Sequence, residues 1–251
     1  PGVPGARSVT PPHPPLTLAA LKDGYCEGRF SPEAVVARAL GRADRFRDRN
    51  IFIYRASPED LEPYLKRLRD VSSPSSLPLY GVPFLVKDNI DVAGMPTTAG
   101  CEGFRYTPAS SAFVVQRLVD AGAIPIGKTN MDQFATGLVG TRSPLAGPCR
   151  NALDPAWISG GSSSGSAVGV ALGIASFALG TDTAGSGRVP AMLNNIIGLK
   201  PSRGLLSMTG IVPACRSLDC PSIFSLLAQD ARRIFECTAV ADPADPWART
   251  N

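Results

Sequence analysis

Hydrophobic and polar positions change their period several times along this chain, and each change marks an element. After Thr17 the run LAALKDGY has a helical pattern with a capping hydroxyl in front of it. Ser31-Pro32-Glu33 opens a second helix, in which Val35, Val36 and Leu40 recur at helical spacing. Residues 51–54 form a short apolar run, predicted to be a strand. Ser57-Pro58-Glu59-Asp60 opens a third helix, LEPYLKRLRD, and VSSPSSLPLYG after it reads as loop. From Val82 the texture changes. PFLVKDNIDV is an apolar strand that meets charge at its end, SSAFVVQRLVDAG an amphipathic helix closed by Gly122, and AIPIGK a buried strand. MDQFATGLV is expected to be helical and residues 140–159 a long Pro-containing loop. A helix of small residues follows at 163–173, then the strand SFALGT, a short helix at 189–195 and the strand IIGLKP. The alternation predicts an α/β fold with a mixed, largely parallel sheet flanked by helices. A helical part over 16–80 would precede a core over 81–230, and the Pro-rich leader 1–15 is expected to be disordered.

Composition narrows the classes without choosing among them. The 251 residues carry 44% hydrophobic and 18% charged side chains, a balance that builds a globular core. The net charge of +4 is spread thinly, with no basic run dense enough for nucleic-acid binding. Residues 167–180 form the longest apolar stretch. It is broken by Gly and Ser and falls short of the roughly 18 residues of a membrane span. No signal-peptide pattern is present. The six cysteines form no CxxC pair, and with one histidine, His13, the usual zinc spacings are unavailable, so no metal is expected. The cysteines read as reduced, which points to a cytoplasmic protein. The chain starts at Pro1 and stops after ADPADPWARTN, and the expectation is a fragment.

The chemistry concentrates in two segments: residues 160–167 read GGSSSGSA and residues 180–191 read GTDTAGSGRVPA. As a flexible linker the first would be followed by polar sequence. Instead AVGVALGIASFALG follows, so its hydroxyls stand where a buried helix begins, and amides there favour developing anions. The second is a turn of small residues leaving a strand. Its amides at Thr183, Ala184, Gly185 and Ser186 are candidates for an oxyanion hole. With its one histidine in the leader, the chain lacks the usual imidazole base of a serine hydrolase. Lys87 lies inside the apolar strand PFLVKDNI, where desolvation disfavours the ammonium. A fall of about 3 pKa units would make it a base near neutrality, so a serine–lysine arrangement fits. A competing motif, GAIPIGKT at 122–129, matches the P-loop pattern. Its AIPI core is apolar and strand-like and it follows a helix, which argues against a phosphate cradle. Cys101 and Cys149 have no neighbouring base in sequence and read as small apolar residues.

GGSSSGSA followed by GTDTAGSGRVPA resembles the amidase signature family, over roughly 82–230. The resemblance implies a triad in which Lys87 is the base, Ser162 a serine in a cis peptide linkage that relays the proton, and Ser186 the nucleophile. Thr183, Ala184 and Gly185 would hold the oxyanion, and Thr136 and Gly137 would touch substrate. The segments TNMDQFATGLVGTRSP, SGRVPAMLNNIIGLKPSRGLLS and VPACRSLDCPSIF are most similar to the allophanate hydrolases of that family. This implies hydrolysis of allophanate (urea-1-carboxylate) to ammonia and carbon dioxide, downstream of a urea carboxylase, with no cofactor. The glutaminase subunit of a tRNA amidotransferase is the alternative within the family, and an inactive truncated chain the alternative outside it. A homodimer is a further expectation. The family's catalytic domain extends well beyond the counterpart of residue 251, so this chain would be its N-terminal portion. The carboxylate-gripping residues would lie beyond that point.

Overall fold

A computed structural model describes residues 16–250; the leader 1–15, expected to be disordered, lies outside the described residues. The predicted caps form. The Thr17 hydroxyl accepts from the amide of Ala20 at the start of α1 (Leu18–Cys26), and Ser31 accepts from Ala34 at the start of α2 (Pro32–Arg45). Ser57 and Asp60 make a reciprocal capping box on α3 (Pro58–Arg69). Helix α2 buries Val35, Val36, Ala39 and Ala43, one apolar stripe turned to the core.

The remaining elements in chain order are β1 (Phe52–Arg55), β2 (Pro83–Lys87), α4 (Phe113–Asp120), β3 (Ile124–Thr129), α5 (Ser164–Ala171), β4 (Phe177–Asp182), α6 (Val189–Leu193), β5 (Ile197–Leu199), β6 (Cys220–Ser225) and α7 (Ala228–Thr238). The strands form a six-stranded mixed sheet in the order β1-β3-β2-β4-β6-β5. Its centre is parallel, β2 pairing with both β3 and β4. The pairs β1–β3, β4–β6 and β5–β6 are antiparallel. Every residue of β2, β3, β4 and β6 is buried, which explains their near-continuous apolar runs. Strand β1 from the helical N-terminal stretch completes this sheet, so 16–80 and the later core share one layer. Among the described residues no helix is long and apolar enough to cross a membrane.

Helix α5 explains why its sequence is so poor in large side chains. A Cβ at Gly165 would stand 2.2 Å from the Ile51 carbonyl oxygen, and one at Gly169 2.3 Å from Leu85 Cδ1. The helix lies directly against the sheet, and its N-terminal serines are carried inside with it.

Two expectations need correction. The strand begun by PFLVK ends at Lys87, where the Ile90 amide turns back onto the Lys87 carbonyl. MDQFATGLV is not a helix but a single turn, Gln133–Ala135, with Phe134 and Ala135 at φ of 50° and 57°. The physical reason is that its amides have other partners. Gln133 N donates to Arg142 O and Phe134 N to Ala99 O, while Asp132 gathers the amides of Gly140 and Arg142. Those bonds replace the i→i−4 ladder and fold the segment into a loop over the sheet's carboxyl ends.

Candidate active site

Lys87 is the last residue of a central strand, with no accessible surface. Its Nζ donates to Ser162 Oγ at 2.7 Å and to Thr181 Oγ1 at 2.8 Å. Strand β4 supplies Thr181 from the neighbouring position of the parallel pair. The approach to α5 supplies Ser162, and the Gly161–Ser162 peptide bond is cis. Burial lowers the Lys87 pKa to about 7, against the opposing pull of the Asp132, Asp182 and Asp219 charges. None of these three carboxylates is in direct contact with it; its two hydrogen-bond partners are hydroxyls.

Ser186 stands on the turn after β4, 3% exposed. Its Oγ lies 3.5 Å from the Gly137 carbonyl oxygen, a weak hydrogen bond that leaves the hydroxyl easily redirected. Ser162 and Ser186 are tied to one loop, since Asp132 N donates to Ser162 O and Gly137 O accepts from Ser186. Among the described residues no hydrogen bond joins the two serine hydroxyls directly.

The turn itself is held by Asp182. Its Oδ1 accepts from Gly185 N and its Oδ2 from Gly187 N, both at 2.9 Å, and Arg188 forks onto both oxygens at 2.9 and 3.0 Å. Burial alone would raise the Asp182 pKa, but Arg188 and these amides outweigh it and hold it below its ordinary value. This corrects the oxyanion set read from sequence, because the Gly185 amide is already engaged. The amides of Thr183, Ala184 and Ser186 have no hydrogen-bond partner among the described residues. Gly185 keeps a different role: at φ 136° it makes the bend that a side chain would strain.

Of the two residues expected to touch substrate, Gly137 lies at Ser186. The Thr136 hydroxyl is turned into its own loop, onto Gln133 O at 2.8 Å. Sequence reasoning missed Thr181, Asp132, Asp182 and Asp219. Thr181 and Asp182 sit inside GTDTAGSGR, and a polar pair closing an apolar strand was the available signal. Asp132 and Asp219 are loop residues whose role emerges only once the chain is folded. The P-loop-like segment forms β3, whose Lys128 is buried against Asp88 and Thr97 rather than at a helix start. Cys149 is buried, and burial pushes its thiol up to about 12, so it is protonated and unreactive at neutral pH.

A parallel-centred sheet with helices on it, carrying a buried lysine hydrogen-bonded to serine, defines a class of lysine–serine α/β proteins. The sequence model of the family described as Amidase matches residues 34–250. The chain is 57% identical over 195 residues to a urea amidolyase of Saccharomyces cerevisiae, covering 77% of this chain and 10% of that protein. It is 38% identical over 231 residues to a glutamyl-tRNA(Gln) amidotransferase subunit of Deinococcus deserti, covering 92% of this chain and 47% of that one. A solved Kluyveromyces lactis allophanate hydrolase superposes with a TM-score of 0.87 at 44% identity, over 93% of this chain and 38% of that one. The chain therefore belongs to the amidase signature family. It spans half or less of the length of these relatives.

Proposed function

We propose that this chain carries the serine nucleophile and lysine base of an amide hydrolase acting on allophanate. The observation that supports it is the buried Lys87 Nζ at 2.7 Å from Ser162 Oγ, with a pKa near 7. Neutral Lys87 takes the Ser162 proton as Ser162 takes that of Ser186, whose hydroxyl turns from Gly137 O toward Ser162. The Ser186 oxygen bonds to the amide carbon, and the carbonyl electron pair moves onto oxygen. The free amides of Ala184 and Ser186, with Thr183 beside them, hold that oxyanion. The relay returns the proton to the leaving nitrogen, the C–N bond breaks, and ammonia departs. Water, deprotonated through the same relay, cleaves the acyl-enzyme and releases N-carboxycarbamate, which loses two molecules of carbon dioxide and leaves the second ammonia. No cofactor takes part in these steps.

Kinship to a urea amidolyase and an allophanate hydrolase favours allophanate. The same kinship supports a functional link to a urea carboxylase, which would supply that substrate. Similarity to the tRNA amidotransferases supports glutamine as the second reading. Ammonia release from allophanate and from glutamine separates them. The proposal expects turnover of allophanate that Ser186→Ala abolishes. Glutamine turnover alone would replace the substrate, and full activity in Ser186→Ala would overturn the mechanism.

A further inference from the structure

Asp219 sits one residue before β6. The β4–β6 ladder pairs Thr181 with Pro221 and Asp182 with Cys220, so one further antiparallel step sets Asp219 opposite Thr183. The contact is made: Thr183 Oγ1 donates to Asp219 Oδ1 at 2.5 Å. The carboxylate is 5% exposed. Its other bonds come from its own loop, Ala214 N at 2.9 Å to Oδ2 and Cys215 N at 3.1 and 3.0 Å to the two oxygens. The Asp219 amide in turn closes onto Cys215 O at 2.9 Å. A loop made rigid in this way presents one anionic oxygen to the first residue of the turn that carries Ser186.

Asp182 grips the same turn at its far end, through Gly185 N and Gly187 N. Two buried carboxylates therefore hold the turn from two sides, and the unpartnered amides lie between the two grips. The Thr183 side chain has no other hydrogen bond among the described residues, so its orientation depends on Asp219.

We propose that Asp219 is a positioning residue for the hydrolysis: through the Thr183 hydroxyl it fixes the peptide planes of residues 183–186 that carry Ser186 and receive the oxyanion. This rests on the reading of Ser186 as nucleophile. The effect is on the chemical step, since neither Asp219 nor the Thr183 hydroxyl needs to touch substrate. A hydrogen bond to an ionised carboxylate is among the stronger side-chain bonds, so its loss loosens the turn. The loss expected is smaller than the 10²–10³-fold of deleting an oxyanion donor outright, about tenfold.

The test is the rate of phosphonylation of Ser186 by a fluorophosphonate in the full-length protein, read by intact mass and peptide mapping. Thr183→Val keeps the shape of the side chain and removes its donor; Thr183→Ser restores the donor. The inference expects the limiting rate to fall about tenfold in Thr183→Val at unchanged probe affinity, and Thr183→Ser to regain most of that loss. Asp219→Asn is expected to fall similarly, with the double variant no worse than either single one. Asp219→Asn has a second signature. The charges of Asp132, Asp182 and Asp219 all raise the Lys87 pKa, so removing one of them moves the acid limb of the rate profile to lower pH. Thr183→Val leaves that limb in place. A wild-type limiting rate in Thr183→Val overturns the inference while the nucleophile stands. Absence of a Ser186 adduct in the wild-type protein overturns the reading beneath it.

Discussion

Lys87 and Lys128 are both fully buried, one on each of two adjacent parallel strands, and they meet different partners. Because Lys128 pairs in register with Val86, the two side chains leave opposite faces of the sheet. Lys87 meets only hydroxyls. Lys128 meets Thr97 Oγ1 at 2.8 Å, Pro96 O at 3.2 Å and the Asp88 carboxylate at 3.6 Å. Asp88 in turn accepts from Thr98 and from the Gly100 amide, fixing the loop that carries Ala99 against Phe134. Burial lowers both lysine pKa values, to about 7 and about 8. Lys128 has a counter-ion, the Asp88 carboxylate; Lys87 has the serine hydroxyl of Ser162. Under the proposed function, the partner, rather than the burial, separates a base from a strut.

Substitutions can break this comparison. The largest effect belongs to Ser186→Ala, expected to lower turnover by about 10⁴-fold or more while the far-UV spectrum stays unchanged. Lys87→Met follows, with a loss of about 10³-fold. Its stability in urea should be equal to or above that of the wild-type protein, because it removes a desolvated amine with no paired carboxylate. Lys128→Met should do the reverse. It strands Asp88, whose Oδ1 already lacks a hydrogen-bond partner, and costs about 3–5 kcal/mol in the same unfolding experiment. If both variants lose stability equally, the distinction fails. Thr181→Val sharpens the comparison on the Lys87 side. Without the Thr181 acceptor the amine is no longer aimed by two hydroxyls, and turnover should drop about tenfold with KM unchanged.

Stability against pH tests the Lys87 side independently of turnover. With Lys87 near 7 in the folded state and near 10.5 when unfolded, the unfolded chain binds more protons between those values. That contribution to stability rises with pH from about 7 to about 10.5, and below 7 the burial cost of the ammonium is felt in full. Lys87→Met should flatten this part of the Tm profile.

The local elements were legible because their signals are local. Thr17, Ser31 and Ser57 cap the helices they precede, and the apolar runs at β2, β3 and β4 are the strands buried on both faces. The lysine and both serines stood in distinctive segments, and the structure joins Lys87 to Ser162. Residues 131–139 were misread because their pattern is helical while their amides are claimed by partners distant in sequence. The carboxylates that organise the site were hidden for a related reason. Asp132 and Asp219 acquire their contacts from loop closure and strand register, which no window of sequence contains. Gly185 was assigned an amide role that the side chain of Asp182, three residues earlier, had already taken.

The central claim is that a neutral Lys87 activates Ser186, and the pH dependence of Ser186 phosphonylation in wild-type and Lys87→Met protein tests it most directly. The account predicts a wild-type rate that rises through a single limb near pH 7, and a slow rate without that limb in the variant. The same limb persisting in Lys87→Met would show that another group is the base and would contradict the account.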